Sequence, residues 1–69
     1  MKTIIRYKYY WNDTKIGKRE YESLLCLLME NPRFTLDRIV DYSDNGKQFL
    51  DNVFVAKDGE VEKLTMELL

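Results

Sequence analysis

In residues 2–11 the side chains sort by twos, with Thr3, Ile5, Tyr7, Tyr9 and Trp11 on one side and Lys2, Ile4, Arg6, Lys8 and Tyr10 on the other. Successive side chains of a strand point to opposite faces, so the cations and most of the rings separate, and the pattern predicts a half-buried first strand. Asn12-Asp13-Thr14 supplies turn residues, and Gly17 precedes a change of period. From Lys18 to Asn31 the spacing is helical: Tyr21, Leu24, Leu25, Leu27, Leu28 and Met29 share one arc, and Glu22, Ser23, Cys26 and Glu30 fill the other. Asn31-Pro32 should end this helix, Asn by tolerating a left-handed conformation and Pro by being unable to continue it.

The remainder predicts a three-strand meander, because Asn45-Gly46 and Asp58-Gly59 are both favoured in two-residue hairpin turns with positive φ. Folding at the first pairs Tyr42 with Phe49, Arg38 with Val53 and Leu36 with Val55; folding at the second pairs Val53 with Leu64 and Phe49 with Leu68. One face then collects Phe34, Leu36, Val40, Tyr42, Phe49, Val53, Val55, Leu64, Met66 and Leu68, with Arg38 and Asp51 as a polar pair among them. A slip of one residue turns every side chain of a strand over, so agreement between turn-derived register and apolar pattern is a real constraint. The expected fold is α+β, in the order β-α-β-β-β, a single domain over residues 1–69. One amphipathic helix packs on the Leu36/Val53/Leu64 face of an antiparallel sheet, and the first strand joins that sheet at an unspecified edge.

Composition narrows the function. A chain of 69 residues is near the lower limit for a self-sufficient core, so self-association is a natural expectation. With one cysteine, Cys26, and no histidine, neither an internal disulfide nor a Cys/His zinc site is available. The start of the chain has no apolar run long enough for a signal peptide or a membrane span, and a cytoplasmic location is expected. There is no phosphate-binding glycine loop and no nucleophile with a base at readable spacing. A non-enzymatic protein is therefore expected, with no cofactor and no metal. Cys26 has no cation at helical spacing to activate its thiol.

Two surfaces remain as candidates. The register above brings Ile39, Leu50, Phe54 and Val61 together on the outer face of the meander, rimmed by Asp37, Asp41, Lys63 and Glu67. One helix covers only one face of a sheet, so an open apolar face with an acidic rim reads as a contact for another protein or a second copy. Small size and lack of chemistry suit an accessory or inhibitor protein of the kind phages and mobile elements encode. The alternative rests on charge asymmetry: residues 1–20 carry six Lys/Arg against two Asp/Glu, and residues 21–69 carry five against ten. Arg6, Lys8, Tyr10, Trp11, Lys15, Lys18 and Arg19 combine cations with rings, as a nucleic-acid or anion-binding module does. Lys18 and Arg19 also occupy a first helical turn, where the dipole favours anions.

Glu20-Tyr21, Leu24-Leu25, Leu28 and Asn31-Pro32, followed by Thr35-Leu36-Asp37-Arg38-Ile39, are similar to the first helix and second-helix start of winged-helix effector domains of response regulators. The resemblance spans about 30 residues and implies the start of a second helix near Thr35; separately, the helical spacing of Leu36, Ile39 and Val40, with Thr35 as a cap, allows a helix over 35–42 in place of a strand. The resemblance also implies a basic recognition helix afterwards, but residues 43–62 hold two Lys against five acids, the wrong sign for reading DNA.

Overall fold

A computed structural model describes residues 6–69, so the strand positions expected at Lys2, Thr3, Ile4 and Ile5 lie outside the described residues. The chain forms β1 (Tyr7–Trp11), β2 (Thr14–Ile16), α1 (Lys18–Glu30), β3 (Phe34–Asp44), β4 (Lys47–Ala56) and β5 (Val61–Leu68). All strands join one antiparallel sheet in the order β2-β1-β5-β4-β3, giving the expected α+β class. Residues 35–42 are strand, so the second helix implied by the winged-helix similarity is absent. The first strand finds its place against β5, with Tyr9 opposite Met66. The short β2 was not expected. Asn12 and Asp13, at φ 47° and 71°, turn the chain tightly, and three following residues pair back onto β1.

The two turns of the meander behave differently. Asn45 and Gly46 have φ of 52° and 77°, forming the anticipated two-residue turn and pairing Tyr42 with Phe49 and Arg38 with Val53. A bulge at Asp37 then places Leu36 opposite Phe54 rather than Val55, turning Phe34 and Leu36 onto the other face. At the second turn the loop has three residues, Lys57–Gly59, closed by Ala56 N–H to Glu60 O at 2.8 Å and Gly59 N–H to Ala56 O at 2.9 Å. Gly59, at φ 91°, takes the left-handed position such a loop requires. The extra residue moves the register by one: Val53 faces Lys63, and Leu64 faces Asn52. Every side chain of β5 is therefore on the opposite face from that expected.

Together these shifts decide which face the helix covers. Tyr21 and Leu28 of α1 pack with Phe54 and Leu64, flanked by Tyr9, Ile16, Leu24, Leu25, Phe34 and Met66. Phe54 and Leu64, at 1% and 0% exposure, are the centre of the core. The covered face is thus that of Leu50, Asn52, Phe54, Leu64 and Met66, not that of Val53. Asn52 donates to the Tyr21 hydroxyl at 3.1 Å, satisfying a phenol that packing takes out of water. Leu27 and Met29 remain exposed, so the buried arc of the helix is narrower than its apolar arc. Asn31 ends the helix in an extended conformation, not a left-handed one, and its Oδ1 accepts from Arg33 N–H.

Candidate functional site

The structure divides the basic and aromatic residues of the N-terminal region among three places. Arg6 immediately precedes β1 and accepts Leu69 N–H through its carbonyl. Lys8 and Lys15 project from the same face of β1 and β2, because Tyr10 pairs with Lys15 and successive residues alternate. Lys18 opens α1 after Gly17, which has no side chain to bond the helix's first amides. These elements enclose an open hollow of about 750 Å³ lined by Arg6, Tyr7, Lys8, Tyr9, Lys15, Ile16, Gly17, Lys18 and Leu69. Trp11 and Arg19 instead border an apolar hollow of about 340 Å³ with Leu24 and Leu27, and Trp11 Nε1 donates to Glu62 at 2.7 Å. Tyr10 shares the open sheet face with Lys8 and Lys15 but does not line their hollow, its hydroxyl being committed to Glu67 Oε1 at 2.9 Å.

Ion pairing separates the four cations of the large hollow from most of the others. Arg33 bridges Asp58 and Glu60, Arg38 lies near Asp37, Lys47 near Glu67, and Lys63 bonds Asp13 at 2.9 Å. Among the described residues, Arg6, Lys8, Lys15 and Lys18 have no carboxylate within ion-pair distance. Their charge is thus free to act on an external anion, next to helix amides that lack a side-chain cap. Sequence reasoning found all four but could not separate them from Tyr10, Trp11 and Arg19, since the β1–β2 hairpin that sorts them was not legible.

The expected protein-binding face does not form as one surface. Phe54 is buried under α1. Val61 is on the opposite face, as it pairs with Val55. Ile39, Leu50 and Asp41 lie on the helix side, where Asp41 and Leu50 border a hollow of about 200 Å³ with Tyr7, Met66 and Leu68. Asp37 is in the bulge. Glu67, assigned to an open rim, is only 3% exposed, on the sheet face away from the helix.

That uncovered face carries a polar network which sequence reasoning missed. Asp51 and Thr65 are opposite one another and nearly buried. Asp51 Oδ1 accepts from the Thr65 hydroxyl at 2.7 Å and from the Tyr42 hydroxyl at 3.4 Å. The Tyr42 ring stacks on Phe49, with centroids 5.2 Å apart. The hydrogen bond to Glu67 raises the Tyr10 pKa above its ordinary value; desolvation, then the charge of Asp51, does the same to Tyr42. Both phenols stay neutral and keep their protons for the carboxylates. Hydrogen bonding to Asp13 raises the Lys63 pKa and holds that ammonium charged.

Among the described residues no group of His, Cys, Asp and Glu is arranged to hold a metal, and no helix is long and apolar enough to cross a membrane. Comparison of the chain with protein-family models, with curated proteins and with solved structures gives no match.

Proposed function

We propose that the protein is a small binding module for a polyanion, a nucleic-acid backbone, held at the corner where β1, β2 and the start of α1 meet. The observation that carries this reading is the gathering of Arg6, Lys8, Lys15 and Lys18, all without carboxylate partners among the described residues, around one hollow beside an uncapped helix start. Phosphate oxygens match both donor types, ammonium or guanidinium and backbone N–H. Tyr7, 38% exposed in the same hollow, offers a ring on which a base can stack. The reading is non-catalytic and needs no cofactor. An exposed free thiol at Cys26 suits the reducing environment of the cytoplasm, where we place the protein.

Titration of a labelled single-stranded oligonucleotide at low salt tests it. Binding that weakens steeply as salt is raised is the expected result, since each neutralised phosphate releases counterions. No binding at the lowest salt, where non-specific attraction is strongest, removes the reading.

A second reading keeps a protein contact, of the accessory or inhibitor kind, on the remnant of the apolar surface. Ile39 is 58% exposed on edge strand β3, on the same face as Leu50 and Asp41. Ile39→Asp should abolish partner capture or self-association while the far-UV spectrum is unchanged; sedimentation and capture identical to the parent would dismiss this reading.

A further inference from the structure

The open sheet face contains a second hollow, of about 160 Å³, lined by Tyr10, Asp13, Tyr42, Phe49 and Thr65. Its three hydroxyl groups have a common feature. The Tyr10 proton is given to Glu67, and the Tyr42 and Thr65 protons are both given to Asp51. A hydroxyl has one proton and two lone pairs, so each oxygen, once its proton is committed, can only accept. Asp13, which is exposed, also only accepts, and Phe49 adds a ring. The hollow is therefore lined by acceptors and π-systems, with no uncommitted side-chain donor among its lining residues. Behind it, Asp51 and Glu67, 8% and 3% exposed, place negative charge where water screens it little.

We propose that this hollow is a binding site for a primary alkylammonium cation, either a free small amine or the side chain of a lysine. Such a group brings three N–H donors, no acceptor and a positive charge, the complement of what the hollow presents. Its methylene stem suits the stacked rings of Tyr42 and Phe49, and its charge benefits from a ring face within reach. Lys63 is the internal competitor, because its Nζ bonds Asp13 at 2.9 Å and also feels Asp51 and Tyr42. Lys47 offsets part of the charge of Glu67 from 3.8 Å. No residue lines both this hollow and the cationic one, although Lys8 and Lys15 adjoin Tyr10 on the same face and, like Lys47, oppose a bound cation.

Amide NMR titrations of the whole chain with n-butylammonium chloride, and with tetramethylammonium chloride at matched ionic strength, test the proposal. The amides of Tyr10, Tyr42 and Thr65 should shift saturably with butylammonium. Tetramethylammonium, with equal charge but no N–H donor, should bind about tenfold more weakly, the scale of a lost charge-assisted hydrogen bond. Asp13→Asn, an exposed change at a positive-φ position Asn accepts, should weaken butylammonium binding about fivefold or more, and Lys63→Gln should tighten it by freeing Asp13. Nα-acetyl-lysine amide separates the two sources: affinity well above that of butylammonium assigns the site to a lysine of a partner, and affinity no higher assigns it to a free amine. Absence of saturable shifts at these amides, equal affinity for the two ammonium ions, or weaker binding in Lys63→Gln overturns the proposal, and the parent comparison stands even if a variant fails to fold.

Discussion

The two faces of the sheet reach low exposure by different means. On one, Phe54 and Leu64 are hidden by Tyr21 and Leu28 of α1, a separate element laid over the strands. On the other no element among the described residues covers the strands, yet Asp51, Thr65 and Glu67 are buried as deeply as most of the core. Their cover is lateral: Tyr10, Tyr42 and Lys63 arrive from neighbouring strands and either bond the carboxylates or stand over them. The first arrangement draws on apolar transfer, the second on satisfied polar groups whose value lies mainly in not being left unpaired. The covered face therefore supplies stability, and the open face supplies shaped, charged surface.

If this contrast depends on the register of β5, breaking the register should have the largest effect. Deleting Glu60, with the three-residue loop Lys57–Gly59 kept, would pair Ala56 with Val61 and Val53 with Leu64, sending Leu64 and Met66 outward and Lys63 and Thr65 beneath the helix. We expect loss of cooperative thermal unfolding by circular dichroism; a variant melting like the parent contradicts the register. Next in size is Phe54→Ala, which opens a cavity under α1 and should cost about 3–5 kcal/mol by urea denaturation. On the open face, Asp51→Ala removes the acceptor of the buried Thr65 hydroxyl and should cost about 1–3 kcal/mol, whereas Asp51→Asn keeps an acceptor and should cost less. Equal losses for the two Asp51 variants would mean the hydrogen bonds on this face matter little.

Much of this architecture is legible in the residues themselves. The helix at Lys18–Glu30, the strand character of Phe34–Leu68 and the Asn45-Gly46 turn follow from period and turn chemistry, as does membership of the first strand in the sheet. The faces do not follow. Asp58-Gly59 suits a two-residue turn and equally the last two positions of a three-residue loop, and the choice reverses every residue of β5. The bulge at Asp37 is invisible for the same reason, since no residue type there demands it. The face error explains why Phe54 was expected in an open surface and Glu67 at a rim. Of the cationic corner only the residues were legible: Arg6, Lys8, Lys15 and Lys18 are close in sequence, but what sets them apart from Tyr10, Trp11 and Arg19 is the β1–β2 hairpin, which the sequence pattern did not show. The acceptor-lined hollow was not legible, because its residues come from β1, its turn, β3, β4 and β5 and meet only in the final register.

The smallest effect on stability should come from the corner, and there the function is tested. Lys15 and Lys18 are exposed and without carboxylate partners among the described residues, so Lys15→Gln/Lys18→Gln should change unfolding free energy by no more than about 0.5 kcal/mol. The decisive measurement is the salt dependence of single-stranded oligonucleotide affinity for the parent and this variant. Four neutralised phosphates predict a log–log slope of about −3 for the parent, and removal of two cations should roughly halve it. A slope unchanged by the double substitution, with both proteins folded, contradicts the assignment of the corner as the polyanion site.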